Sequence, residues 1–260
     1  MFDTAVYLRR LGCAGPPAPG LDTLVRLHRN HLLRIPYDNS RFPEHGGALP
    51  DNLADLDQDA TFDKIVVRGI GGICFELSLL FQRLLDELGF ETMAVSAGVC
   101  QDRGQFSPEL SHKFVVVRLD GRHWLADVGF SGPSYLEPLC LSPEEQPQYG
   151  CVFKVDSQDG RHTVLRRSRT TGWRPVYRFA LVARKPAEWD GFTEAFEQYL
   201  DESVLASTTM LCRAVGNGHH MLVGKRYLVV EDGHEKLSAL TDPAEYERVA
   251  RHIRRPPDGE

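Results

Sequence analysis

Cys74 stands where a thiol can be turned into a nucleophile. It follows Arg68-Gly69-Ile70-Gly71-Gly72-Ile73 and precedes an amphipathic run. Leu77, Leu80, Phe81, Leu84, Leu85 and Leu88 recur at helical spacing, and Gly89 suits the C-terminal stop. Gly71 and Gly72 do not belong inside a helix, so the helix is predicted to begin near Cys74. A thiol there meets unpaired N–H groups and the positive end of the helix dipole. Such surroundings favour the thiolate, the form that attacks a carbonyl carbon. The glycines let a substrate approach the backbone, whose N–H groups can hold an oxyanion. The competing reading is a buried inert thiol, the usual state of a free cysteine. A plain helix, however, needs no Gly-Ile-Gly-Gly ahead of it. The segment is not a phosphate loop, because no Lys-Ser or Lys-Thr follows the glycines.

His112 and Asp127 are the matching base and its orienting acid. They lie on two apolar runs, residues 111–119 and 122–130, joined by Asp120-Gly121. Asp-Gly between such runs predicts a two-residue turn. That turn places Leu119 opposite Arg122, Phe114 opposite Asp127 and His112 opposite Gly129. His112 and Asp127 become diagonal neighbours on one face, roughly 7–8 Å apart at the backbone. A three-residue loop would shift the pairing and send Asp127 to the other face. Asp is a poor strand former, and a buried carboxylate requires a partner. An imidazole steadied by a carboxylate is the usual device for base catalysis. The alternative is a structural His–Asp hydrogen bond and nothing more.

The elements that must position these groups follow from pattern. Residues 3–34 read as two helices around Gly15-Pro16-Pro17-Ala18-Pro19-Gly20, the second with Leu21, Leu24, Val25, His28 and Leu32 on one face. His28 and His31 read as packing or surface residues. Residues 40–61, rich in Pro, Asp, Asn and Gly, read as a long loop. Short strands are expected at 92–99, 113–119, 123–130, 152–155, 163–167 and 176–181, as a barrel requires. A helix is expected from Pro186 towards Asp201, then two strands, then a last helix near Pro243–Ile253.

At 260 residues the chain can bury a core and hold two or three subdomains. Its net charge of −6 weighs against a nucleic-acid partner. The sequence has no apolar run long enough to span a membrane. The start, Met1 to Tyr7, lacks the pattern of a secretory signal, so a cytoplasmic protein is expected. The six cysteines have no Cys-x-x-Cys spacing and are expected to be free and reduced. The adjacent His219 and His220 alternate faces of a strand, which disfavours a metal site.

Together these segments resemble the arylamine N-acetyltransferases and the related amide synthases that close macrolactam antibiotics. The nucleophile segment Arg-Gly-…-Gly-Ile-Cys-Phe-Glu-Leu, the Ser111-His112 strand and Trp124-Leu125-Ala126-Asp127-Val128-Gly129-Phe130 each look like the family's own. Residues 24–39, ending Pro36-Tyr37-Asp38-Asn39, are similar to its N-terminal helix and the Pro-Phe-Glu-Asn that closes it. The resemblance implies an α+β fold: a helical domain over 1–90, an antiparallel β-barrel over 91–185 and an α/β lid over 186–260. It implies Cys74 as acyl acceptor, His112 as base and Asp127 as orienting acid. Phe130, Gly129, Gly132 and Tyr37 would line the substrate site, with Phe130 an apolar wall. No bound cofactor or metal is expected. The donor would be a thioester, on coenzyme A or an acyl carrier protein, and the acceptor a small-molecule amine. Ser78 stands where the family usually has Asn, Ile70 interrupts a run commonly Arg-Gly-Gly, and Ser203–Met210 lacks the usual Pro and Phe. The reaction implied is ping-pong, amide-forming transfer of an acyl group from acetyl-CoA or a similar thioester to an aryl amine; these departures make the alternative an amide synthase that releases or cyclises a polyketide from an acyl carrier protein as a (macro)lactam. A Cys-His-Asp hydrolase or transglutaminase, or a binding domain that kept the fold, are the remaining readings.

Overall fold

The computed structural model describes residues 1–40, 56–101, 104–189 and 208–255. Helix α1 (Thr4–Arg10) starts at Asp3, whose side chain accepts from the Val6 N–H at 2.9 Å. Helix α2 (Leu21–Arg34) buries Leu24, Leu27, His28 and His31. The buried stripe is therefore turned from the expected one, with Leu27 and His31 replacing Leu21, Val25 and Leu32. His31 is drawn in by aromatic neighbours, its ring 5.2 Å from Phe81 and 6.0 Å from Tyr7. Burial pushes its pKa down to about 3, so the ring is neutral.

The expected loop over 40–61 is corrected at its end. Helix α3 (Gln58–Phe62) runs on into a π turn over Asp63–Val67. Asp57 caps α3 by accepting from the N–H groups of Asp59 and Ala60. The acidic run Asp55-…-Asp57 that read as loop is in part a helix cap. Residues 41–55 of that segment lie outside the described residues. Helix α4 (Cys74–Glu87) begins at the expected cysteine and ends before Gly89 at φ +83°.

Eight antiparallel strands form the central sheet, which curls into a nearly closed barrel. They are β2 (Glu91–Val99), β3 (His112–Leu119), β4 (Arg122–Ala126), β5 (Leu139–Cys140), β6 (Gln146–Gln148), β7 (Cys151–Gln158), β8 (Arg161–Arg167) and β9 (Arg174–Ala180). Their order is β5-β4-β3-β2-β9-β8-β7-β6. Strand β3 is apolar on both faces because it is covered on both. Val115 and Val117 join Leu77, Phe81 and Leu84 of α4 in one core, whereas Phe114 and Val116 join Val95, Tyr177 and Phe179 inside the barrel.

A second antiparallel sheet has the order β1-β10-β11-β12-β13. It consists of β1 (Tyr37–Asp38), β10 (Met210–Val215), β11 (Gly218–Val223), β12 (Arg226–Glu231) and β13 (His234–Ala239). Four strands thus stand where two were expected after residue 201. The turn between β12 and β13 is Asp232-Gly233, both at positive φ, the same device as Asp120-Gly121. Helix α5 (Pro243–Arg254) packs Ala250 and Ile253 on Leu211 and Leu222. Of the helix expected from Pro186, a single 3-10 turn, Pro186–Trp189, is described; its continuation, with Phe192, Phe196 and Leu200, lies outside the described residues. So does most of Ser203–Met210.

Candidate active site

The hairpin has the register its turn demands. Leu119 pairs with Arg122, Val117 with Trp124 and Val115 with Ala126. Asp120 and Gly121 sit at φ 51° and 72°, left-handed at both positions as a type I′ turn requires. Strand β4 stops at Ala126, short of the expected Phe130. Its end coincides with Asp127, whose Oδ1 accepts from the Gly129 N–H at 3.0 Å and closes a turn. That turn swings the following residues towards the head of α4.

The two side chains meet. His112 Nε2 donates to Asp127 Oδ2 at 2.7 Å, both groups buried. His112 is also hydrogen-bonded to the Cys74 thiol, so with Nε2 committed to Asp127 it is Nδ1 that faces the sulfur. Burial alone would lower the His112 pKa. The Asp127 charge and hydrogen bond, with smaller help from Cys74, outweigh it and lift the imidazole to about 10. At neutral pH the ring is an imidazolium clamped by a carboxylate.

Further residues hold Asp127 in place. The Tyr177 hydroxyl hydrogen-bonds its carboxylate and lies 2.7 Å from the Tyr135 hydroxyl. Behind it, His28 places Nε2 at 3.0 Å from the Asp127 carbonyl oxygen and Nδ1 at 3.0 Å from that of Leu136. His28 is thus a packing residue, as expected, and what it packs is the acid of the site. Tyr177 carries no local signal, because its contact with Asp127 arises only when β9 closes on β2 in the barrel.

Cys74 is the first residue of α4 and 9% exposed. Glu76 folds back to accept from the Ile73 N–H at 3.1 Å and is held by Lys64 at 2.7 Å. The spacing from Ile73 to Glu76 carried that signal. The glycines ahead of Cys74 also have a structural reason. A Cβ on Gly71 would sit 2.5 Å from the Pro36 carbonyl oxygen, and one on Gly72 would sit 2.6 Å from Ile65 Cδ1. Gly72 bridges in parallel to Tyr37. Gly71 admits the chain's own β1, and Gly72 makes room for Ile65 and Glu76.

Of the remaining expected residues, Tyr37 and Gly129 lie against Cys74, and Phe130 and Gly132 lie further out, against His112 and against each other. Tyr37 lies beside Cys74 and hydrogen-bonds Ser131; burial, with the Cys74 charge, raises its phenol well above the usual range, so it stays protonated. Gly129 is pressed against the nucleophile, since a Cβ there would fall 2.7 Å from Cys74 Cα. Phe130 stands edge-on to His112, ring centroids 5.5 Å apart, and leans on Tyr177 at 5.6 Å. Gly132 packs against Phe130, since a Cβ on it would meet Phe130 Cε1 at 2.5 Å. None of the six cysteines, all among the described residues, forms a disulfide. Among the described residues, no cluster of three or more Cys, His, Asp or Glu side chains is arranged to hold a metal, and no helix is long and apolar enough to cross a membrane.

The helical layer, the near-closed barrel and the chain's relatives define the class: an α+β acyltransferase. Comparison with known proteins gives the family. A family model described as N-acetyltransferase matches residues 20–253. Proansamycin X synthase of Amycolatopsis mediterranei is 35% identical over 255 residues, 97% of each chain. Arylamine N-acetyltransferase of Escherichia coli is 27% identical over 231 residues, 88% of this chain and 79% of that one. The crystal structure of Nocardia farcinica arylamine N-acetyltransferase superposes with a TM-score of 0.82 at 28% identity, covering 98% of this chain and 89% of that one. The chain belongs to the N-acetyltransferase family and is an N-acyltransferase.

Proposed function

We propose that this protein forms amides by ping-pong acyl transfer through Cys74, His112 and Asp127. The observation that carries the reading is the buried 2.7 Å contact between His112 and Asp127, with Cys74 on the other ring nitrogen. The Cys74 thiolate attacks the carbonyl carbon of a thioester. A C–S bond to Cys74 forms, the donor's C–S bond breaks, and the donor leaves as a thiol with the proton that His112 held. An amine then attacks the acyl-Cys74 carbonyl. The C–N bond forms, the Cys74 C–S bond breaks, and the amine's proton passes to His112. Exchange of one thioester for another is nearly isoenergetic, which suits loading; amide formation then drives the second half. Tyr37 and Gly129 border Cys74, Phe130 covers His112, and together they help to exclude water, which would otherwise hydrolyse the intermediate.

The relatives favour a second, finer reading of the substrates. The whole-length similarity to proansamycin X synthase supports an amide synthase of antibiotic biosynthesis, which takes a long acyl chain from a carrier-protein thioester and closes it on an aryl amine. On the coarser reading the donor is a coenzyme A thioester and the acceptor a simple arylamine. Ser78, in place of the family's usual Asn, also sets this chain apart beside the nucleophile.

Intact-mass measurement with a thioester donor and no amine tests the mechanism. Wild type is expected to gain one acyl group that hydroxylamine removes, and Cys74→Ser to gain none. Turnover by Cys74→Ser would overturn the covalent route. Offering acetyl-CoA and a long-chain acyl thioester in turn, each with an arylamine, separates the two substrate readings by which amide appears.

A further inference from the structure

The strand that presents His112 to the nucleophile presents Lys113 next. The Ser78 hydroxyl, one helical turn beyond Cys74 on the same face of α4, donates to the Lys113 carbonyl at 2.7 Å. That bond fixes the Lys113 backbone beside the head of α4. The side chain then runs over Trp189, with Nζ 5.2 Å from the ring centroid. Trp189 is held by its Nε1 donating to the Leu110 carbonyl at 3.3 Å and stands edge-on to Phe75 at 6.3 Å. It belongs to one small apolar cluster with Ile73, Cys74 and Phe75. A half-buried ammonium is thus built into the wall of the nucleophile.

The neighbouring charges are already paired. Glu76 is taken by Lys64 and the Ile73 N–H. Glu109, on the turn before His112, pairs with Arg161 and Arg184. Glu188, on the Trp189 turn, accepts from Arg184 and from the Lys185 N–H. Asp127 is taken by His112, and Tyr37 stays a neutral phenol. Among the described residues, no carboxylate pairs with Lys113, and Cys74 is the group whose charge it feels. On the proposed mechanism Cys74 reacts as a thiolate, and with the His112 imidazolium and the Asp127 carboxylate it sums to one negative charge in a buried site, which is costly without a cation nearby.

We propose that Lys113 is a positioning residue for the nucleophile, its ammonium balancing the net negative charge of the resting Cys74–His112–Asp127 group. The proposal rests on the reading of Cys74 as the acyl acceptor. Acylation of the sulfur removes the negative charge, so the balance is needed in the free enzyme and not in the acyl-enzyme. Burial lowers the Lys113 amine, against the pull of Cys74, to about 8. The ammonium is therefore present at pH 7 and lost as pH rises through about 8.

Iodoacetamide labelling of Cys74, followed by peptide mass spectrometry from pH 6 to 10, tests this on wild type, Lys113→Met and Lys113→Arg. Wild type should be labelled about three- to tenfold faster than Lys113→Met at pH 7, with the ratio closing towards one above pH 9. Lys113→Arg keeps its charge throughout. It should match wild type at pH 7, and so restore what Met removes. A wild-type-to-Met ratio that stays flat across pH, or an Arg variant as slow as Met, overturns the proposal. Selective labelling of Cys74 with a flat ratio removes Lys113 alone. If wild-type Cys74 is labelled no faster than the other five cysteines, the nucleophile reading itself falls, and this proposal with it.

Discussion

Asp127 is the residue on which most of the site converges. One carboxylate oxygen takes His112, the other takes the Gly129 N–H, and Tyr177 adds a third bond, while His28 reaches the same residue's carbonyl. The first bond sets the charge of the imidazole, the second sets the turn that brings Gly129 to Cys74. Asp127→Asn keeps the volume but removes the charge, and its amide cannot accept at both positions. On the proposed mechanism kcat should fall about 10³–10⁴-fold, the size of loss when the orienting carboxylate of a serine triad is amidated. Stability should change in a pH-dependent way too. His112 titrates near 10 when folded and near 6.5 when not, so its contribution is complete below about pH 6.5 and is lost as pH rises through 10. Urea unfolding at pH 6.5, 8 and 10 should show that decline in wild type and its loss in Asp127→Asn. Equal slopes in the two proteins would remove Asp127 as the cause.

At the scale of elements, the site is a strand end laid against a helix head, with little room between them. Gly129 shows how little. In Gly129→Ala the new methyl would need to displace Cys74 Cα from 2.7 Å, Cys74 Cβ from 3.0 Å and the Cys74 carbonyl from 3.1 Å. Backbone cannot yield as a side-chain tip can. The variant should lose about 1–3 kcal/mol in stability, with Cys74 labelling slowed; an unchanged denaturation midpoint would show that the turn relaxes freely. This juxtaposition was legible because each half is coded locally. Asp120-Gly121 fixes the register of β3 and β4, and the glycines followed by a leucine-rich repeat fix where α4 begins. What was not legible is coded at a distance. The glycines of residues 71–72 signal a close approach, but only the fold shows that Pro36 and Asp38 make it. Tyr177 reaches Asp127, and Trp189 reaches Lys113, through barrel closure and chain return that no local pattern announces. The sheet β10–β13 was undercounted although Asp232-Gly233 repeats the hairpin signal, because its edge strand β13 is largely exposed and lacks a continuous apolar run.

At the scale of the whole molecule, β1 links the Cys74 segment to the C-terminal sheet. Tyr37 pairs with Cys212 and Asp38 with Leu211 on β10, while the same two residues flank Gly71 and Gly72 on the other side. The position of β10 therefore sets that of Tyr37, and so one wall around Cys74. Arg213, on β10 and 4% exposed, is what fastens β10 to the helices. Its Nε donates to the Ile253 carbonyl at 2.7 Å, Nη2 to that of His252 at 2.8 Å and Nη1 to that of Leu33 at 3.3 Å. These carbonyls lie at the C-terminal ends of α5 and α2, where unpaired oxygens and the negative dipole end suit a cation. No carboxylate pairs with Arg213 among the described residues, so carbonyl groups alone offset the burial of its charge. Arg213→Met fills a similar volume but leaves three carbonyl acceptors unpaired, the Ile253 one buried and worth about 1–3 kcal/mol when left so. The thermal midpoint should drop by several degrees, and the amides of α5 should exchange faster than those of α4. If β1 transmits the loosening, Cys74 labelling should slow, although Arg213 does not touch the sulfur. A fall in midpoint with labelling unchanged would confine Arg213 to stability and show that the barrel and α4 hold the nucleophile without help from the second sheet.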